Sequence, residues 1–123
     1  MKQKVSDYIA DRLAQERISQ VFTVTGGGAM HLNDSLGHHP GLSCLYHHHE
    51  QAAAMAAEAY ARVDNRMAAV CVTSGPGATN AITGALCAWM DSIPMLVLSG
   101  QVRYDTTGAS QRLKDPHDGC AGI

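Results

Sequence analysis

A chain of 123 residues, 46% apolar and 16% charged, has room for one hydrophobic core, and its low charge points to a molecule that buries much of its surface. A formal net charge of −2 leaves no electrostatic footprint for nucleic acid or for an anionic membrane. Four dispersed cysteines, Cys44, Cys71, Cys87 and Cys120, form no CxxC pair, so a reduced, cytoplasmic protein is expected rather than a disulfide scaffold.

The first predicted element is a helix over residues 5–18. Val5, Ile9, Leu13 and Ile18 recur there at near-helical spacing, with Ser6 as the expected N-cap. The charges Lys2, Lys4, Asp7, Asp11, Arg12, Glu16 and Arg17 exclude a signal peptide or a membrane span. The apolar runs elsewhere fall well short of the roughly 20 residues that cross a bilayer. A β-rich run at 21–24 ends in Gly26, Gly27 and Gly28, and a second helix carries Met30, Leu32 and Leu36 before Gly37 and Pro40 close it. Residues 42–46 read as a second strand, and 49–63, rich in Ala, Glu, Met and Gln, as the strongest helix. Residues 67–73 (MAAVCVT) read as a buried strand, 74–77 as a turn, 78–90 as an apolar helix and 95–98 as a fourth strand broken by Gly100.

Such alternation predicts an α/β domain with a doubly wound parallel sheet. The uniformly apolar strands agree, because a strand covered on both faces need not alternate. From residue 103 onward no period persists, so the sheet is expected to be incomplete at the C-terminus. The domain is assigned to residues 1–107 and an irregular tail to 108–123.

Ligands of parallel sheets bind beyond the carboxyl ends of the strands. The turns at 25–30 (TGGGAM), 47–51 (HHHEQ) and 73–80 (TSGPGATN), and the segment from Ser99 to Val102, all fall there. The two glycine turns do not make a dinucleotide fingerprint, because His31 and Asn80 stand where a third glycine would be needed, and neither ends as a P-loop. They are either tight turns that need positive φ or places where backbone closely approaches a ligand. Glu50 opens a long helix, where the dipole favours an anion, although a plain helix-start carboxylate would look the same. Consecutive His47, His48 and His49 point in diverging directions and lack metal spacing, so no metal site is expected. His31, His38, His39 and His117 are expected at the surface, and Met30, Met55, Met67, Met90 and Met95 in the core.

His49-Glu50-Gln51 followed by AAAMAAEAYAR, then VTSGPGATNAITGALCAWMDSIPMLVLSGQV, with VFTVTGGGAMHLNDSL before them, closely resembles the acetolactate synthase-like branch of the thiamine-diphosphate enzymes. The resemblance runs from about residue 5 to residue 102 and implies the N-terminal, pyrimidine-binding domain of that fold. It implies that Glu50 hydrogen-bonds a ring nitrogen of the aminopyrimidine and favours its imino form, whose nitrogen takes the proton from the thiazolium carbon that attacks a 2-oxo acid. A partly desolvated carboxyl at a domain interface suits such proton sharing. By the same resemblance Gly26, Gly27 and Gly28 line the substrate and thiazolium side. Pro76, Gly77 and Asn80 shape the pyrimidine pocket, and Gln101 approaches the substrate-derived adduct. The first turn departs from the family's common Tyr-Pro-Gly-Gly, having Val24-Thr25-Gly26-Gly27 instead, which leaves the substrate and reaction unassigned.

The family holds Mg²⁺ and the diphosphate in a second domain through a Gly-Asp-Gly motif, which Asp118-Gly119 does not complete. Thiamine diphosphate is therefore the expected cofactor, with Mg²⁺ held by a domain outside this sequence. The region that would hold FAD also lies outside it, so FAD dependence stays open. The expected partners are a second copy of the chain or a diphosphate-binding domain or subunit, and a small 2-oxo acid as substrate. The isolated chain is expected to be inactive. The alternatives are a small subunit of a split thiamine-diphosphate decarboxylase and a non-enzymatic dimerisation module that pairs through the helix at 78–90.

Overall fold

The computed structural model describes residues 2–103; the tail at 108–123, Cys120 and His117 lie outside them. Four helices and four strands follow in the order α1 (Val5–Gln15), β1 (Gln20–Thr23), α2 (Met30–His38), β2 (Ser43–Tyr46), α3 (Glu50–Asp64), β3 (Ala68–Val72), α4 (Pro76–Met90) and β4 (Met95–Ser99), with a 3₁₀ turn, Gly27–Ala29, leading into α2. The sheet is wholly parallel, in the order β2-β1-β3-β4. Val21 of β1 pairs with Cys44 on one side and Ala69 on the other. The α/β fold with a parallel sheet is the one the alternating periodicity predicts.

The central strands explain the two-layer cover. Ala68, Val70 and Val72 of β3 face Ala53, Ala54 and Ala57 of α3 and Ala81 of α4, with Phe22 completing that core. The intervening Ala69 and Cys71 face the other way, against Ala10, Leu13, Ile18 and Leu36 under α1 and α2. Alternate residues of one strand thus serve opposite layers, which is why all five are apolar and all five buried. The edge strands differ. Leu45 and Tyr46 of β2 are exposed, as is Val97 of β4, because each has a neighbour on one side only.

Three local expectations are corrected. Ser6 does not cap α1; Lys4 occupies that position without a side-chain cap. Ser6 is buried inside the helix instead, its oxygen 2.8 Å from that of Ser35, whose hydroxyl also lies 2.6 Å from Asp7 Oδ1. Four of the five methionines assigned to the core, Met30, Met55, Met67 and Met90, are exposed among the described residues, because a single sheet with two layers leaves their helix and strand faces uncovered. His39 is not a plain surface histidine. Its ring is only 17% exposed and its Nε2 lies 3.2 Å from Asp11 Oδ1. His31 and His38 are exposed as expected.

Helices α3 and α4 cover the same face and touch at small residues. A Cβ added at Gly84 would stand 2.5 Å from Ala54 Cβ and 2.8 Å from backbone atoms of Ala54 and Met55. Arg62 on α3 bonds both Glu58 of its own helix and Asp91 at the end of α4.

Candidate functional site

The chain leaves β1 to one side to form β2, then returns across β1 to form β3 on the other. The winding therefore reverses at the carboxyl ends of β1 and β3, where open α/β sheets bind ligands. The turn after β1 holds Gly26, Gly27 and Gly28, and the turn after β3 holds Thr73, Ser74 and Gly75.

Glu50 is the first residue of α3. The preceding His49 caps the helix, its Nδ1 accepting the Gln51 N–H at 3.1 Å. The Glu50 carboxylate reaches across to the opening turns of α4, where Oε2 accepts from Asn80 Nδ2 at 3.0 Å. Oε1 lies only 3.2 Å from the position a Cβ would take at Gly77. Glycine at 77 therefore lets the carboxylate lie against the α4 backbone, and Asn80 fixes its rotation with a neutral donor. Pro76 takes the first position of α4, where its missing N–H costs nothing. Gly75 before it has φ 64° and ψ −128°, a conformation glycine alone adopts readily.

The glycines of the first turn have a different reason. Among the described residues Gly75 is the one glycine with positive φ, so the tight-turn reading holds for the second turn and fails for the first. A Cβ at Gly26 would lie 2.5 Å from Thr73 Cβ, and one at Gly28 would lie 2.7 Å from Ser74 Oγ. Those two are glycines because the β3 turn packs onto them. Gly27 is unlike both. Nothing stands within 4 Å of its missing Cβ, so it opens onto free space.

That space is a cleft of about 920 Å³ bordered by Gly27, Gly28, His31, Ser99, Gln101 and the N-terminus of α1. Gln101 enters through its backbone, the N–H donating to Gly28 O at 3.1 Å, while its own Oε1 accepts the Val102 N–H. Gly100 beside it leaves no room for a side chain, since a Cβ would meet Gly28 O at 2.4 Å. The residues expected at the site thus form two neighbouring groups: Gly27, Gly28 and Gln101 around the cleft, and Glu50, Gly77 and Asn80 across α3 and α4. Gly26 is covered by Thr73, and Pro76 is exposed.

Thr73 and Gly100 lie in segments expected beyond the strand ends, but sequence reasoning gave neither a role of its own, because what each meets is Gly28, far away in the chain. The three histidines diverge as expected. His47 packs on Phe22 with ring centroids 5.8 Å apart, His48 is exposed and His49 caps α3. Among the described residues no group of three or more His, Cys, Asp or Glu side chains could hold a metal ion. Cys71 of β3 is buried beneath α1 and α2, and desolvation pushes its thiol up to about 11, which makes it an inert packing residue rather than a nucleophile. No helix of the described residues is long and apolar enough to cross a membrane.

The sequence matches the family described as thiamine pyrophosphate enzyme, N-terminal TPP binding domain, over residues 3–120. It is 40% identical to an acetolactate synthase large subunit of Haemophilus influenzae over 104 residues, 85% of this chain and 18% of the relative. It is 43% identical to the acetolactate synthase isozyme 3 large subunit of Escherichia coli over 103 residues, 84% of this chain and 18% of the relative. It is also 38% identical to the chloroplastic acetolactate synthase 2 of Zea mays over 99 residues, 80% and 16%. The chain spans less than a fifth of the length of these curated relatives. With a parallel sheet wound about the right switch point and a carboxylate held beside it, the chain belongs to the N-terminal TPP-binding domain family of the thiamine pyrophosphate enzymes, on its acetolactate synthase-like branch.

Proposed function

We propose that this chain supplies the aminopyrimidine-binding half of a thiamine-diphosphate site that acts on 2-oxo acids, by decarboxylation and carboligation. The observation that carries the reading is the Glu50 carboxylate at the head of α3, held by Asn80 and lying against Gly77. The donor set fits a protonatable heterocycle: one carboxylate of fixed orientation, next to a glycine turn with one open position. When bound, the cofactor supplies the electron sink for carbon–carbon bond cleavage and formation.

The roles of the chain's own groups follow. Glu50 would hydrogen-bond the pyrimidine ring nitrogen and share a proton with it. Asn80 keeps the carboxylate from turning away. Gly77 and Pro76 would shape the wall of the pocket, Gly27 and Gly28 would present backbone on the thiazolium side with Gly26 packed behind them on Thr73, and Gln101 would border the substrate side of the cleft. Mg²⁺ and the diphosphate are held by a separate domain or subunit. Two phosphates and a divalent ion carry much of the cofactor's charge, so the chain alone binds weakly and turns over negligibly. The setting is cytoplasmic.

One observation favours a homodimer as the assembly. Ile82, Leu86 and Trp89 recur along α4 at 44%, 53% and 83% exposure, and Met55 and Val63 lie exposed on neighbouring α3. An apolar stripe of that continuity marks an interface.

The test is an assay with thiamine diphosphate, Mg²⁺ and a 2-oxo acid, for the chain alone and for the chain combined with a diphosphate-binding domain. The expected result is negligible turnover alone, turnover in the complex, and its loss in Glu50→Gln. A Glu50→Gln complex with full turnover would overturn the assignment.

A further inference from the structure

We propose that Thr73 is a positioning residue whose hydroxyl pins the glycine turn in register with the Glu50 cluster. The inference rests on the functional reading above and goes beyond it, because it gives a role to a residue that does not border the cleft.

Thr73 follows β3 directly, at the point where the winding of the sheet reverses. Its Oγ1 accepts the Gly28 N–H at 3.0 Å, a bond across 45 positions of sequence. Glycines from both turns close around the same side chain. Missing Cβ atoms would lie 2.5 Å from Thr73 Cβ at Gly26, 2.9 Å from Oγ1 at Gly28 and 2.7 Å from Cγ2 at Gly77. One β-branched residue therefore has the first turn on one side and the opening of α4, where Glu50 rests, on the other.

The other end of the Gly28 peptide is fixed as well, its carbonyl accepting from the Gln101 N–H. Gly28 thus owes its place to two strands that are not its own. Remove the Thr73 acceptor and an amide beside the cleft loses its partner, freeing the turn to move relative to Glu50. Valine keeps the shape of threonine and loses the acceptor; serine keeps the acceptor.

The experiment uses Thr73→Val and Thr73→Ser in the whole chain, with amide hydrogen exchange and a titration with thiamine, both followed by NMR. In Thr73→Val the Gly28 amide should exchange at least tenfold faster while core amides such as Val70 stay within threefold, and thiamine affinity should fall at least tenfold. Thr73→Ser should keep both quantities within threefold of wild type. Unchanged Gly28 exchange in Thr73→Val would overturn the proposal, as would faster exchange with undiminished affinity. Should Thr73→Val not fold, a Thr73→Ser chain that loses Gly28 protection would overturn it and one that keeps it would support it. A wild-type chain that binds no thiamine at millimolar concentration would instead sink the functional reading, and this proposal with it.

Discussion

Replacing Gly84 with alanine puts the account of the α3–α4 layer under direct strain. The new methyl would sit 2.5 Å from Ala54 Cβ and 2.8 Å from backbone atoms of Ala54 and Met55, against the ~3.5–4.0 Å at which carbon atoms rest. Backbone cannot turn aside, so α4 has to move outward by about 1 Å. Overpacking of this kind costs about 1–3 kcal/mol, and contact with backbone places it near the upper end. Alanine's better helix propensity returns roughly 1 kcal/mol. The net expectation is a loss of about 1–2 kcal/mol, a fall in Tm on the order of 4–15 °C for a domain this size. Glu50 and Asn80 lie one helical turn before Ala54 and Gly84 on the same two helices, so the displacement also stretches their 3.0 Å hydrogen bond beyond bonding range. Urea denaturation measures the first effect, and the NMR shift of the Asn80 side-chain amide the second. A Gly84→Ala chain as stable as wild type, or more stable, would refute this reasoning.

Gly100→Ala should be at least as damaging locally, because its methyl would meet Gly28 O at 2.4 Å; loss of protection at the Gln101 amide in hydrogen exchange would show it. Gly27→Ala should leave stability within about 0.5 kcal/mol, as expected where nothing is touched, yet weaken thiamine binding at least fivefold in an NMR titration. The Cys71 thiol gives a pH signature. It ionises near 9.0 in the unfolded chain and holds its proton to about 11 in the folded one, so the folded state binds more protons in that window and stability falls as pH rises through it. Two pH units correspond to about 2–3 kcal/mol, seen as the extra alkaline loss of wild type over Cys71→Val in urea titrations at pH 9 and 11. Trp89→Glu should yield a monomer of near wild-type stability where the parent sediments as a dimer; a parent that sediments as a monomer at high concentration would contradict the proposed assembly.

What could be read from the sequence follows from the range over which each feature acts. The run from Ala68 to Val72 declares a strand covered on both faces through composition alone, and Gly75 beside Pro76 declares a turn, although α4 begins at Pro76 and not at residue 78. Glu50 was legible as a carboxylate opening a helix just beyond a strand, while the role proposed for it came from the resemblance. The partners of these residues were not. Asn80 and Glu50 are 30 positions apart, and Thr73 and Gly28 are 45 apart. No local pattern says which glycine of three is packed and which is open. Ser6 was misread for the same reason, since a serine at a helix start suits a cap until Ser35, 29 positions away, is folded beside it. The exposed methionines mark where composition alone misleads, because in the sequence an apolar side chain left at the surface looks the same as one in the core.

The most direct measurement of the central claim is an NMR titration of the isotopically labelled chain with thiamine, repeated on Glu50→Gln. The account predicts shifts concentrated at Glu50, Gly77, Asn80 and Gly27, and their loss in the variant while its spectrum remains that of a folded protein. Shifts that map elsewhere, or an unchanged titration in Glu50→Gln, would contradict the assignment of Glu50 as the carboxylate that holds the pyrimidine.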